Sequence, residues 1–165
     1  LNRRTGLDSH LNVWGSSGPT VIKWEPGQFG YAVRIREGRN LPLLLTATGR
    51  VFLAYLPPAE TAALVKKEMK LFDGSAGKAS SRSPPYDPAA IRETIRADGI
   101  AQSVGEMNSS IFALSAPVFD RDGRLSVTLT VLGIANTFDM ALDGETAMHL
   151  REVARDLSRS LGAPD

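Results

Sequence analysis

Hydrophobic and polar residues alternate along the beginning of the chain. Three segments there read "HLNVWG", "TVIKWE" and "YAVRIRE", and clusters of Gly and Pro separate them. Alternation with a period of two, carried by β-branched and aromatic residues, is typical of half-buried antiparallel strands. The sequence therefore predicts three strands, which begin near His10, Thr20 and Tyr31 and are joined by turns.

The apolar residues change to helical spacing after Gly49. From Val51 to Leu56 they recur at helical spacing, and Pro57-Pro58 ends this helix. A second short helix is predicted around residues 64–71. Helices therefore follow the first strands along the chain.

A polar segment rich in Gly, Ser and Pro follows at residues 73–88. Its "GSAGKAS" lacks the spacing of a phosphate-binding loop, because only two residues separate Gly74 from Gly77. We therefore expect a surface loop in this segment. Asp87-Pro88 then starts a third helix, which Gly99 ends.

Strand patterns return in the second half of the chain. The segments "SSIFALSAPVFD" and "RLSVTLTVLG" flank the turn sequence "RDG", which predicts a β-hairpin. An apolar stripe from Ala147 to Leu161 predicts a closing helix over residues 143–161. The order of strands, helices, strands and a helix is typical of an α+β fold with an antiparallel sheet.

Composition narrows the function classes. A chain of 165 residues is expected to form one domain. Its net charge of +1 argues against a module whose whole surface binds nucleic acid or anionic lipid. The absence of cysteine excludes disulfides and thiolate metal sites, and it fits a reducing, cytoplasmic location. No apolar run is long enough to cross a membrane, so no membrane partner is expected.

The sequence gives little support to catalysis. His10 and His149 lie far apart and have no carboxylate cluster beside them, so neither a metal site nor a cofactor is predicted. The motif Gly-x-Ser-x-Gly is absent, which disfavours a hydrolase. Arg151, Arg155 and Arg159 are interleaved with acidic residues, which favours a solvated, salt-bridged helix face over a phosphate-binding ladder.

Two polar features allow two interpretations each. Glu106 lies between two predicted strands, where its carboxylate either accepts backbone hydrogen bonds or is simply solvated. The segment "TATGR", residues 46–50, lies where a helix begins. Free N–H groups and a partial positive charge at a helix start favour an anion such as a carboxylate. Capping by Thr46 or Thr48 without any ligand explains the same residues equally well.

Three segments resemble the C-terminal effector-binding domain of IclR-type bacterial transcription regulators. They are "LPLLLTATGRVFLAYLP", "GEMNSSIFALSAPVFDRDGRLSVTLTVLG" and "LREVARDLSRSLG", which occur in the family's order. The resemblance implies a GAF-like fold, in which helices flank a curved antiparallel sheet. It implies that residues 1–8 end a linker helix and that residues 9–165 form the effector-binding domain.

The resemblance also implies partners. A small-molecule effector binds the domain, and the regulators form homodimers or homotetramers. DNA is contacted only through an N-terminal winged helix-turn-helix, which this sequence does not contain. No catalysis is implied. Two alternatives stay open at this point: a free-standing GAF-like enzyme, and a pure oligomerisation module with an occluded pocket.

The family's ligand pocket maps onto seven positions of this chain. Backbone N–H groups at the helix start bind the ligand's carboxylate, and strand residues complete the pocket. The matching residues are Ala47, Thr48, Ser103, Ile111, Ala113, Thr130 and Leu132.

The mapped side chains differ from those of members that bind glyoxylate. Such members tend to carry Asp where Ser103 stands, Cys where Ala113 stands, and Ser where Thr130 and Leu132 stand. Each unpaired buried polar group of a ligand costs about 1–3 kcal/mol. A pocket with fewer polar partners therefore predicts a more apolar effector than glyoxylate, such as an aromatic or aliphatic carboxylic acid.

Overall fold

A computed structural model describes residues 1–28, 35–75 and 86–164 of the chain. Its strands are β1 (Asp8–Gly15), β2 (Gly18–Glu25), β3 (Ala101–Val104), β4 (Ile111–Phe119) and β5 (Leu125–Ile134). They form a five-stranded open sheet in the order β2-β1-β5-β4-β3. All four neighbouring pairs are antiparallel, which confirms the predicted α+β class with a GAF-like fold.

Five helices accompany the sheet in the described ranges. They are α1 (Asn2–Thr5), α2 (Ala47–Tyr55), α3 (Pro58–Ser75), α4 (Pro88–Asp98) and α5 (Glu145–Ser160). The predicted boundaries of α4 are confirmed, because the Asp87 side chain caps its start and Gly99 ends it in the left-handed conformation, with a φ of 67°. Helix α2 begins at Ala47, earlier than the first apolar residue of its helical pattern.

The remaining predictions fall partly outside the described residues. Most of the predicted strand "YAVRIRE" lies in residues 29–34, which are outside them, and residues 35–37 are not part of a strand. Helix α3 extends to Ser75, so the predicted surface loop at residues 73–88 is helical where it begins. Residues 76–85 of that loop are also outside the described residues.

The side of the sheet covered by α5 is a continuous apolar core. Alternate residues of β4 and β5 point to this side and meet the apolar stripe of α5. The cluster includes Leu114, Val118, Val131, Leu150 and Ala154, all of them buried. We call this side the α5 face.

Helix α2 packs on the opposite side of the sheet, and α4 packs against α2; we call this side the α2 face. Gly49 lets α2 lie directly on the segment that precedes it. A Cβ atom at this position would lie 2.3 Å from the Pro42 carbonyl oxygen and 2.4 Å from that of Leu43. No side chain larger than hydrogen fits there, so the glycine in "TATGR" fixes how the segment before α2 folds against its first turn.

Candidate functional site

A cavity of about 330 Å³ lies on the α2 face, between the sheet and the start of α2. The structure brings all seven predicted pocket residues to its wall. They are Ala47, Thr48, Ser103, Ile111, Ala113, Thr130 and Leu132. They come from the first turn of α2 and from β3, β4 and β5. Their common location makes this cavity the candidate site.

The start of α2 combines a cap with two free donors. The Thr46 hydroxyl accepts a hydrogen bond from the Gly49 N–H at 2.9 Å and donates one to the Pro42 carbonyl at 2.7 Å. Ala47 and Thr48 are buried, and their N–H groups have no hydrogen-bond partner in the described parts of the chain. Capping by Thr46 is therefore confirmed, and two further N–H groups remain available beside the cavity.

A buried carboxylate from another helix holds the segment that leads into α2. Glu68 of α3 accepts hydrogen bonds from the N–H groups of Leu43 and Leu44, at 2.7 and 2.9 Å. Its side chain is 8% exposed. The backbone that positions the first turn of α2 is thus fixed by a charge from α3. Glu68 lies within the second predicted helix, but no local signal in the sequence indicates this contact.

Arg50 and Glu106 join α2 to the loop after β3. The guanidinium of Arg50 donates to the carbonyl oxygens of Leu44 and Gln102 and to the Glu106 carboxylate, which is 2.7 Å away. Glu106 also accepts a hydrogen bond from the Val104 N–H. Of the two interpretations of Glu106, the structure supports the carboxylate that fastens the loop. Both side chains are mostly shielded from solvent.

A buried polar network runs from β1 across β5 to α2. His10 Nδ1 contacts Asn12 Oδ1 at 2.7 Å, and Asn12 Nδ2 donates to the Thr128 hydroxyl at 2.9 Å. The Thr130 hydroxyl donates to Ser115 Oγ at 2.9 Å and lies 2.8 Å from the Thr48 hydroxyl. All of these residues are buried. The network links the wall of the cavity to the first turn of α2.

His10 is one of several cavity-lining residues outside the seven predicted positions; Arg39, Leu41, Leu45 and Met107 are others. His10 lines the cavity and is 4% exposed. Burial lowers the pKa of His10 to about 4, although its hydrogen bond to Asn12 opposes this effect. The imidazole is therefore neutral at physiological pH. Its position in an alternating strand does not reveal that the polar side of that strand is the buried one.

The other residues considered as candidates, possible metal ligands and the arginines of α5, do not form a second site in the described ranges. In the described ranges, no group of three His, Asp or Glu residues is arranged to hold a metal ion. Arg151 of α5 donates to the carbonyl oxygens of Leu142 and Asp98, and Arg159 pairs with Asp156 at 3.6 Å. The pair of Arg159 with Asp156 agrees with a salt-bridged helix face, whereas Arg151 contacts backbone carbonyl oxygens instead of acidic side chains. None of the described helices has the length and apolar character needed to cross a bilayer.

Comparison with known sequences identifies one family. Residues 1–159 match the sequence model described as bacterial transcriptional regulator IclR C-terminal. The chain is 28% identical over 164 residues to the HTH-type transcriptional regulator XynR of Escherichia coli, covering 99% of this chain and 64% of XynR. It is 29% identical over 169 residues to the glycerol operon regulatory protein of Streptomyces coelicolor, covering 99% of this chain and 63% of that protein. The chain thus spans less than two thirds of these relatives.

Solved structures agree in fold. The crystal structure of Pseudomonas aeruginosa HmgR matches with a TM-score of 0.83 and 35% sequence identity, over 96% of this chain and 60% of HmgR. The crystal structure of Thermotoga maritima IclR matches with a TM-score of 0.76 and 26% identity, over 98% of this chain and 64% of that one. In both comparisons nearly the whole chain aligns with part of a longer protein.

Proposed function

The chain belongs to the family of bacterial transcriptional regulator IclR C-terminal domains, as its sequence resemblance predicted, and we propose that it is the ligand-sensing and oligomerisation domain of such a regulator. Its curated relatives are transcriptional regulators, which confirms the prediction of a regulator rather than an enzyme. In this proposal residues 1–8 lead in from a linker helix and residues 9–165 bind the effector. A winged helix-turn-helix outside this sequence contacts DNA in the cytoplasm, and the regulator is a homodimer or homotetramer.

The proposed effector is a small carboxylic acid that is more apolar than glyoxylate. The observation that carries this proposal is the pair of buried, unpartnered N–H groups of Ala47 and Thr48 beside the cavity. Such donors at a helix start stabilise a carboxylate. Ile111, Ala113 and Leu132 line the same cavity and offer an apolar wall for the body of the ligand.

The size of the cavity supports a ligand larger than glyoxylate. Its 330 Å³ is about eleven times the ~30 Å³ that one water molecule occupies in the liquid. An acid with one ring or a short chain fits this space, whereas glyoxylate leaves most of it unfilled. An oligomerisation module with an occluded pocket is the alternative, and an open volume of this size disfavours it.

Thermal unfolding of the 165-residue chain in the presence of acids tests the proposal. The panel is glyoxylate, pyruvate, benzoate and hexanoate. An acid present at a hundred times its Kd stabilises the folded state by about 2.7 kcal/mol, which raises Tm by roughly 5–10 °C. We expect this shift with benzoate or hexanoate and not with glyoxylate. A shift with glyoxylate alone would contradict the apolar-effector proposal, and no shift with any acid would favour the occluded module.

A pair of variants at Ala113 locates the binding site. Ala113→Phe fills the cavity and is expected to abolish the Tm shift, whereas Ala113→Ser keeps the space and is the matched control. Equal affinity of the two variants for the stabilising acid, measured by calorimetry, would place the ligand elsewhere.

A further inference from the structure

His10 brings to the cavity a polar atom that the protein itself does not use. It lies on β1 opposite Thr130 of β5, at the centre of the wall of the candidate site. Its Nδ1 contacts Asn12 Oδ1 at 2.7 Å. Its Nε2 has no hydrogen-bond partner among the residues that the structure describes. It is absent from the fully buried polar atoms that lack a partner, so it is open to the cavity that His10 lines.

The surrounding contacts decide which ring nitrogen carries the proton. Asn12 Nδ2 donates to the hydroxyl of Thr128 at 2.9 Å and approaches its carbonyl oxygen at 3.4 Å, so Asn12 Oδ1 faces His10. A carbonyl oxygen can only accept, and His10 Nδ1 must therefore be the donor. In a neutral imidazole the other nitrogen then carries a lone pair. Because His10 lines the cavity and Asn12 does not, we place Nε2 on the cavity side of the ring.

A second acceptor lies nearby. The Thr130 hydroxyl gives its proton to Ser115 Oγ, at 2.9 Å. Its contact with the Thr48 hydroxyl at 2.8 Å must then be one in which Thr48 donates. The Thr48 oxygen consequently presents only lone pairs to the cavity. This corner of the site, next to the start of α2, thus offers hydrogen-bond acceptors from two side chains.

We propose that His10 selects effectors that carry a hydroxyl group in addition to the carboxylate, with the hydroxyl donating a hydrogen bond to His10 Nε2. The effector class is then a hydroxycarboxylic acid. This inference rests on the proposed function, in which the N–H groups of Ala47 and Thr48 bind the carboxylate. A second carboxylate in place of the hydroxyl would face lone pairs at this corner and is rejected there.

The proposal also explains why a histidine occupies a buried strand position. An apolar side chain would present no acceptor to the cavity. A bound ligand that covers Nε2 without donating to it leaves a desolvated, unpaired acceptor, which carries a free-energy cost. A ligand hydroxyl removes that cost when it binds. An acid without the hydroxyl leaves the acceptor unpaired, so the site discriminates between the two.

Calorimetry with matched ligands tests the hydroxyl directly. The probes are benzoate and hexanoate, their hydroxy derivatives at each ring or chain position, and the methyl ethers of those derivatives. We expect at least one hydroxy acid to bind about tenfold more tightly than its parent acid, as one net hydrogen bond allows. Its methyl ether, which cannot donate, should lose that gain.

Variants of His10 assign the gain to this residue. His10→Phe removes the acceptor, so the ratio of the two affinities, hydroxy acid over parent acid, should fall to about one whatever the affinity of the parent acid becomes. His10→Gln keeps an amide oxygen in place and should retain part of the preference. The methyl-ether comparison uses the unmodified chain, so it remains decisive if His10→Phe does not fold.

The outcomes separate the two proposals. If parent acids bind and no hydroxy derivative binds more tightly, the role of His10 is overturned and the carboxylate site stands. If a hydroxy acid is preferred equally by the unmodified chain and by His10→Phe, another residue reads the hydroxyl. If no acid of any kind binds, the carboxylate proposal fails and the inference about His10 fails with it.

Discussion

The two faces of the sheet are both buried, but they are filled with different chemistry. On the α5 face, leucine, valine and alanine side chains of β4, β5 and α5 form one apolar cluster. On the α2 face, the same two strands bury Ser115, Thr128 and Thr130 beside a cavity of about 330 Å³. The α5 face is built mainly by apolar packing, with a few hydrogen bonds such as that from the Phe119 N–H to Ser158 Oγ. The α2 face buries a connected network of hydroxyl and amide side chains.

The two kinds of burial contribute differently to the free energy of folding. An apolar core gains free energy roughly in proportion to the area it removes from water. A buried polar network adds little net stability, but it fixes donors and acceptors at defined points. Under the proposed function, stability and ligand recognition are therefore assigned to opposite sides of one sheet. Substitutions on the two faces should therefore have separable effects.

The largest effect is expected on the α5 face. Leu150→Ala removes a fully buried side chain from the apolar cluster and should lower the free energy of unfolding by about 2–5 kcal/mol. Met148→Ala on the same helix is the control, because Met148 is 56% exposed and its loss should change stability by no more than about 0.5 kcal/mol. Urea unfolding measures both. Equal losses in the two variants would show that α5 is not held by this cluster.

The second effect is a pH dependence on the α2 face. The pKa of His10 is lowered from 6.5 to about 4 in the folded chain. Between these pH values the unfolded chain binds more protons, so stability is full above about pH 6.5 and decreases as pH falls toward 4. The total contribution is about 3 kcal/mol. The charged residues that share the cavity with His10 are Arg39 and Glu106.

Urea unfolding from pH 7 to pH 4 measures this contribution. The unmodified chain should lose more stability over that range than His10→Gln, which has no titrating imidazole. Leu150→Ala is the control, since its difference from the unmodified chain involves no titrating group and should not depend on pH. Parallel pH profiles of the unmodified chain and His10→Gln would show that burial of His10 does not couple folding to protonation.

The third effect concerns polarity on the apolar face. Ala116→Ser adds a hydroxyl to a position that is 1% exposed and packed among apolar side chains. A buried hydroxyl without a partner costs about 1–3 kcal/mol, and the free energy of unfolding should fall by that amount. Ala116→Gly controls for changes in backbone freedom. A neutral Ala116→Ser would contradict the view that the apolar cluster offers this hydroxyl no partner.

Local signals in the sequence predicted much of the fold. Asp87 caps the start of α4 and Gly99 ends it, as predicted. The turn sequence "RDG" lies between β4 and β5, as predicted. These features depend on neighbours in the chain. The seven pocket positions came from the family resemblance, and the structure places all of them around one cavity.

The sequence could not predict which side of each strand forms the site. Alternation in β5 separates Thr128 and Thr130 from Leu129 and Val131, and polar residues in such a pattern are usually expected to face solvent. Here both sides are buried, because α2 covers the polar one. The contacts of Glu68 with Leu43 and Leu44 join residues about 25 positions apart, and no local pattern encodes them. These features depend on tertiary packing.

The smallest effect compares two neighbours on β4 that face opposite sides. Ser115 is fully buried on the α2 face, one residue before Ala116. Ser115→Ala removes the acceptor of the Thr130 hydroxyl, but Thr130 can turn its proton toward the Thr48 oxygen, 2.8 Å away. Because the network can rearrange in this way, the free energy of unfolding should fall by only about 1 kcal/mol, less than for Ala116→Ser.

The same rearrangement should change ligand preference. Once Thr130 donates to Thr48, the Thr48 hydroxyl proton is free to point into the cavity, and the preference for a ligand that donates a hydrogen bond should weaken. A loss of stability larger than that of Ala116→Ser, with unchanged ligand preference, would mean that the network is rigid and that the two faces differ less than their composition indicates.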